Sequence, residues 1–235
     1  MNKPFFSGIL LLGGSGQRLG EKTPKQFVKL QDKELFLYSL ETFLASDLFQ
    51  EVILVVPANY AAWVREKTKN LSSLVKIIEG GKTRQDSSFQ GILATSKNSD
   101  FVIIHDAARP FVSKKLLKKH SELLPKFQAL DTCLPCIDTI IYADEKLCFL
   151  EKIPERKRCF QGQTPQSFAT PLIKKAHLLA QKKGLNNASD DCRLVMGLEE
   201  KIGIVLGEER NFKITTHSDW DFASFLLEKK NASFV

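Results

Sequence analysis

No stretch of this 235-residue sequence is apolar for long enough to cross a bilayer. The early run in MNKPFFSGILLLGG stops at Gly13 and Gly14, and it has no small-residue cleavage site of the secretory kind. The expectation is therefore a cytoplasmic protein. Cysteine is sparse: Cys133, Cys136, Cys148, Cys159 and Cys192 are odd in number and frame no disulfide pattern, as suits a reducing compartment. Cys133-Leu-Pro-Cys136 has redox-motif spacing, but such a motif opens a helix, whereas DTCLPCIDTII is patterned as one extended stretch. A zinc site would need a second ligand pair, which the sequence does not offer at a plausible spacing. Packed strand cysteines are the expectation. Repeats, low-complexity tracts and Pro/Gly/Ser-rich linkers are also missing, so residues 1–235 read as one domain with no room for a second activity.

Charge is present in excess of one sign. Lys and Arg number 34 against 27 Asp and Glu, a formal +7 that favours anionic partners. The cations are spread along the chain without a basic arm or a nucleic-acid-binding module, which argues against nucleic acid. Phosphorylated small molecules are the other option, and the surplus alone does not choose, since lysines such as those of KKLLKK suit a solvated surface.

Apolar runs of strand length alternate with helical patterns. FSGILLL, EVILVVP, VKIIEG and FVIIHDA read as strands. ELFLYSLETFLA, NYAAWVREKTKNL, RQDSSFQGILATSK and SKKLLKKHSELLPKF read as the helices between them. Nearly continuous apolar strands joined by helices predict an α/β fold with a mostly parallel sheet covered on both faces. Such units place ligands at the carboxyl ends of strands. Residues 138–168 alternate around ADEK as a hairpin would, predicting a protruding arm. The helix PLIKKAHLLAQKK, a short helix near DDCRLVMGL, the strand KIGIVLG and then NFKITT follow. HSDWDFASFLLEKK closes the chain as a helix, with Ser218 and Asp219 as candidate caps.

Polar loops follow three of those strands. The first, in LLLGGSGQRLGEKTPKQF, fails as a P-loop because Glu21 separates Gly20 from Lys22 and Thr23. It also fails as a dinucleotide turn because Leu19 stands where the third glycine belongs. Its glycines could admit phosphate oxygens to the backbone, with Arg18 and Lys25 as cations, or could simply form a tight turn. The second loop, Gly80 to Ser87, repeats the theme, with Asp86 or Ser87 as alternative helix caps. The third, His105-Asp106-Ala107-Ala108-Arg109-Pro110, places Asp106 where it could hold a divalent cation or a substrate hydroxyl. His105 reads as a structural hydrogen-bonding residue.

In order along the chain, GGSGQRLGEKTPKQF, GGKTRQDSSFQG, HDAARPF, DTI, QGQTPQSF and NFKITTHSDW closely resemble the 2-C-methyl-D-erythritol 4-phosphate cytidylyltransferase family of the non-mevalonate isoprenoid pathway. The resemblance implies a Rossmann-like nucleotidyltransferase fold and a β-arm, at about 137–158, that interlocks two subunits of a homodimer. It implies CTP, a polyol phosphate and Mg2+ as the reacting partners. It makes Leu12, Gly13, Gly14, Gly16, Gly81, Lys82, Ser87 and Ala107 nucleotide contacts. It makes Arg18 and Lys25 the cations on the triphosphate, and Arg156 and Lys213 the groups that place the attacking phosphate. Asp106, Arg109, Thr139 and Thr164 complete the polyol contacts, with Thr139 and Arg156 reaching the partner's site. A phosphate monoester is already an anionic nucleophile, so the missing Ser-His-Asp or Cys-His arrangement is no obstacle.

The sequence departs from the family pattern at Leu12-Gly13-Gly14, where Ala-Ala-Gly is usual. It departs again at ERNFK, where an acidic residue before Asn-Ile-Lys is usual and Glu209 is the substitute on offer. The rival acceptor is ribitol 5-phosphate, toward which LGG and QGQTPQSF lean, while RQDS and HDAARP lean toward methylerythritol phosphate. A non-catalytic nucleotide-binding module and a nucleic-acid-binding protein are the readings from other classes.

Overall fold

In the computed structural model the described residues are 3–13 and 23–232, with side chains described to residue 229. Strands β1 (Phe6–Leu11), β4 (Glu51–Val56), β5 (Val75–Glu79) and β6 (Phe101–Asp106) alternate with helices α1 (Leu35–Leu44), α2 (Ala61–Thr68) and α3 (Arg84–Leu93). The small strands β2 (Lys29–Leu30) and β3 (Lys33–Glu34) form a separate ladder ahead of α1. The second half holds α4 (Lys114–Phe127), β7 (Ala129–Pro135), β8 (Tyr142–Ala143), β9 (Leu150–Lys152) and β10 (Phe160–Ala169). It ends with α5 (Thr170–Lys182), α6 (Cys192–Met196), β11 (Gly203–Leu206) and α7 (His217–Ala232).

Seven of the described strands form one sheet in the order β11-β7-β10-β6-β1-β4-β5. β6, β1, β4 and β5 are parallel, β11 is parallel to β7, and β10 runs antiparallel to both of its neighbours. Pairing of Leu11 with Asp106 across β1 and β6 brings two of the predicted loops side by side.

Both faces are covered, as the continuous apolar strands require. On one, Leu10 and Leu54 pack with Phe36, Leu40 and Phe43 of α1, Val64 of α2 and Leu116, Leu117 and Leu124 of α4. On the other, Ile9, Ile53 and Val55 pack with Ile92 of α3, Ile173 and Ala176 of α5 and Val195 of α6. Close approach is bought with small residues at two points. A Cβ on Gly8 would lie 2.9 Å from the Phe43 ring, and one on Gly91 would lie 2.8 Å from Ile9.

Element boundaries differ from expectation for local reasons. Thr95 turns its hydroxyl back to the Ile92 carbonyl, and α3 stops at Leu93 rather than continuing to Lys97. Of the two cap candidates for α7, Ser218 is displaced by Thr216, whose Oγ1 accepts the Asp219 amide while Asp219 Oδ2 accepts the Thr216 amide. That is a reciprocal capping box. The arm is present as the β8–β9 ladder, its turn held by Asp144 Oδ1, which accepts the Cys148 and Phe149 amides at 2.7 and 2.9 Å. Its apolar side chains face outward: Ile137 is 77%, Leu147 82% and Phe149 76% exposed. Cys133 lies buried in β7 as a free thiol, pushed up to about 12 by burial and the neighbouring Asp131, in keeping with a packed strand cysteine.

Candidate active site

The loops after β1, β5 and β6 open onto one cleft of about 520 Å³. Gly13, Lys25 and Gln26 line it from the first segment, Gly81, Lys82, Arg84 and Ser87 from the second, Asp106 and Ala108 from the third, and Lys213 and Thr215 from the last. Gly14, Gly16 and Arg18 lie outside the described residues.

The second loop owes its shape to α3. Thr83 caps the helix by accepting the Asp86 amide at 3.0 Å, and Asp86 Oδ2 accepts the Thr83 amide at 3.1 Å. Of the two expected cap residues Asp86 takes part, as the third residue of a capping box, but the N-cap itself is Thr83. The Ser87 hydroxyl donates to the Thr83 carbonyl at 2.9 Å and accepts the Gly81 amide at 3.2 Å. A Cβ on Gly81 would sit 2.2 Å from Asp86 Cβ, so the turn tolerates only glycine there.

Charge alternates across the cleft floor. Arg84 Nε donates to Asp106 Oδ1 at 3.2 Å and its Nη1 to Asp191 Oδ2 at 2.9 Å, while Lys213 Nζ donates to Asp106 Oδ2 at 2.7 Å. Burial alone would raise the Asp106 pKa, but Arg84 and Lys213 outweigh it and hold the carboxyl far below the usual range. The Asp106 amide donates to Thr164 Oγ1 at 3.1 Å, which also meets His105 Nδ1 at 2.9 Å, and His105 Nε2 meets the Arg109 carbonyl at 3.0 Å. Fully engaged and buried, His105 is pushed down to about 4 and stays neutral, in keeping with a structural role.

The segment 211–216 ties these parts together. The Asn211 carbonyl accepts Arg109 Nη1 at 3.0 Å and its Nδ2 donates to the Thr164 carbonyl at 2.7 Å. Lys213 reaches Asp106, and the Ile214 carbonyl accepts Lys25 Nζ. Lys25 and Lys213, 188 positions apart, are thus brought to one strip. Gln26 Nε2 donates to the Gly13 carbonyl at 2.7 Å from the same side.

Not every expected residue lines the cleft. The Leu12 side chain is buried in the core, and its amide donates to the Val55 carbonyl at 2.9 Å. Ala107 is buried too, its amide donating to the Leu11 carbonyl at 3.0 Å, and Ala108 rather than Ala107 lines the cleft. Arg109 and Thr164 stand behind Asp106 as its supports. Thr139 and Arg156 are exposed on the arm, where Arg156 Nη1 donates to the Ile137 carbonyl at 3.1 Å. Glu209 is exposed and does not line the cleft, while its neighbour Glu208 accepts the Ser113 hydroxyl at 2.7 Å. Sequence reasoning missed Arg84 and Asn211. A cation at the first position of a helix opposes the dipole, and that was the available signal for Arg84. Asn211 opens the NFKITTHSDW segment, which was its signal, but it acts partly through its backbone carbonyl and carries no role in the sequence reading.

The profile of the family described as IspD, 2-C-methyl-D-erythritol 4-phosphate cytidylyltransferase, matches residues 8–229. Over 98% of its length the chain is 34% identical to the bifunctional ribulose 5-phosphate reductase/CDP-ribitol pyrophosphorylase Bcs1 of Haemophilus influenzae, and it spans 50% of that protein. It is 32% identical to the ribitol-5-phosphate cytidylyltransferase of Lactiplantibacillus plantarum, with 94% of this chain and 98% of that one aligned. Among solved structures, the 4-diphosphocytidyl-2C-methyl-D-erythritol synthase of Anaerococcus prevotii superposes with a TM-score of 0.85 at 28% identity, covering 96% of this chain and 99% of that one. The 2-C-methyl-D-erythritol 4-phosphate cytidylyltransferase of Thermus thermophilus gives 0.76 at 30% identity, covering 93% and 97%.

Proposed function

We propose that this chain, which belongs to the IspD family of 2-C-methyl-D-erythritol 4-phosphate cytidylyltransferases and is a cytidylyltransferase, transfers CMP from CTP to 2-C-methyl-D-erythritol 4-phosphate. That activity belongs to the non-mevalonate route to isoprenoids. The observation that carries the acceptor assignment is the end of β6. Asp106 lines the cleft with a carboxylate, and Ala108, two residues on, lines it as an apolar residue. A polyol whose second carbon bears a methyl group suits that pairing of an acceptor with an apolar patch. Ribitol carries only hydroxyls and hydrogens on its carbons. It is the second reading, favoured by the names of the two curated relatives and by LGG and QGQTPQSF.

In this reading the phosphate monoester oxygen attacks the α-phosphorus of CTP, and the bond to the β-phosphate breaks to release pyrophosphate. No proton need be abstracted from the nucleophile. Two anions must approach each other, so catalysis is positioning plus fixed positive charge. Lys25 and Arg18 serve the triphosphate, and Lys213, steered by Asp106, serves the attacking phosphate. Arg156 and Thr139 are exposed and do not line their own cleft, consistent with arms that complete a partner's site in a homodimer.

Asp106 is the acidic side chain among the described residues lining the cleft, and each of its oxygens already accepts one cation while keeping a further lone pair. That donor set fits a magnesium that arrives with the triphosphate and takes most of its ligands from phosphate and water. Such an ion would neutralise charge on the phosphates, with Asp106 as its protein ligand. No helix among the described residues is long and apolar enough to cross a membrane, in keeping with action on free nucleotide.

The test is pyrophosphate release from CTP with each polyol phosphate. The methylerythritol ester is expected to have the higher kcat/KM by at least about tenfold, the scale of one well-placed methyl. A preference for ribitol 5-phosphate overturns the acceptor assignment, and no turnover with either favours a binding module.

A further inference from the structure

We infer that Asp191, which lies outside the cleft, is a positioning residue of the transfer reaction, holding the Arg84 guanidinium so that it aims Asp106 and through it Lys213. The inference rests on the cytidylyl-transfer reading of the cleft.

Asp191 immediately precedes α6, where a carboxylate ordinarily caps a helix. Here the neighbour does that work: Asp190 Oδ1 accepts the Arg193 amide at 3.0 Å, and no side-chain cap bond comes from Asp191. The Asp191 carboxylate is instead turned inward and is only 1% exposed. Its Oδ1 accepts the Ser88 hydroxyl at 2.6 Å and meets His177 Nε2 at 3.0 Å, and its Oδ2 accepts Arg84 Nη1 at 2.9 Å. Its own amide donates to Gln166 Oε1 at 3.1 Å. A charge this deeply buried survives only with such partners.

The consequence is geometric. Ser88 and His177 fix one carboxylate oxygen from α3 and α5, leaving the other with one direction in which to hold Arg84. Because a guanidinium is a planar fork, fixing Nη1 also fixes the direction of Nε, which meets Asp106. Asp106 then has one oxygen committed and turns the other to Lys213. The sequence Asp191–Arg84–Asp106–Lys213 alternates in sign, so each charge orients the next without adding net charge to the cleft. Gln85, next to Arg84, braces the same loop by donating to the Leu185 carbonyl at 2.6 Å and accepting the Ala188 amide at 2.8 Å.

Asp191→Asn keeps the shape and removes the charge facing Arg84. With whichever polyol phosphate the wild type turns over, kcat is expected to fall roughly 10- to 100-fold, as for a small misplacement of reacting groups. KM for CTP is expected to change by less than about threefold, because the nucleotide contacts are untouched. Ser88→Ala and His177→Gln each remove one of the two bonds that fix Asp191 Oδ1 but keep the Asp191–Arg84 bond, so each is expected to lower kcat by clearly less than Asp191→Asn does. An unchanged kcat in Asp191→Asn overturns the inference. So does an equal kcat loss in all three variants, which would mark a structural role only. If Asp191→Asn does not fold, Arg84→Lys supplies the test, since an ammonium keeps the charge but cannot bridge both aspartates. The same kcat loss is then expected, and wild-type kcat overturns the inference. A wild type inactive with both polyol phosphates overturns the underlying reading instead, and is visible before any variant is made.

Discussion

Asp106 is held by Arg84 and Lys213, and Lys25 by the Ile214 carbonyl, so the cations of the cleft are placed before any substrate arrives. Pre-placed charge lowers a barrier because it need not reorganise as the phosphoryl group transfers. Lys25→Ala is therefore expected to lower kcat by roughly 10²- to 10³-fold, the scale of losing one fixed electrostatic contact, with the fold retained. Single-turnover measurements on the folded variant check this, and a wild-type rate would remove Lys25 from the mechanism. At this scale legibility was uneven. Lys25, Asp106 and Lys213 were readable because they sit in motif-bearing loops. Arg84 was quoted within its loop but given no role, because its function depends on Asp106 and Asp191, 22 and 107 positions away. No spacing rule links residues across such intervals.

Among the elements, strands β1, β4 and β6 were legible because burial on both faces leaves a continuous apolar run, while the edge strand β5, only partly buried, was legible from its short β-branched run VKII. The helices were legible from their period. The strip 211–216 was not, because it has no regular secondary structure and its effect comes from what it crosses. The arm was legible as alternation around a turn, and its Leu147 and Phe149 are exposed. Exposed apolar side chains on a hairpin make it testable as a contact surface. Replacing both Leu147 and Phe149 with Asp is expected to leave the thermal midpoint of the subunit unchanged within about 2 °C, since neither packs on the core. If arms interlock two subunits, the same change halves the mass seen by light scattering. A wild-type mass in the variant would detach the arm from dimerisation.

For the whole molecule, two buried histidines contribute to acid sensitivity alongside carboxylates such as Asp106 and Asp191. His120 lies between Ser167 Oγ and Thr132 Oγ1, and burial pushes it down to about 3, as burial pushes His105 to about 4, both from an ordinary 6.5. The unfolded chain binds protons at these rings below pH 6.5 while the native chain does not, so stability falls as pH drops from 6.5 toward 4 and 3. Above pH 6.5 neither contributes. Asp106 has the carboxylate sign: its contribution is present above the ordinary 3.8 and is lost as pH falls below it. The urea midpoint is expected to be level from pH 8 to about 7 and then to decline, with a shallower decline in His120→Gln. A midpoint independent of pH between 7 and 4.5 would show that these rings do not report on folding.

The strip 211–216 also sets a timetable for synthesis. Strands β5, β4, β1 and β6 and their helices lie within the first half of the chain, and they can pair as soon as Asp106 has been made. The lysine that faces Asp106, the carbonyl that holds Lys25 and the carbonyl that holds Arg109 all come from the last tenth of the described sequence. A chain that ends before residue 211 therefore lacks Lys213 and the two carbonyls that hold Lys25 and Arg109, and it is expected to be inactive however much of the sheet it has paired.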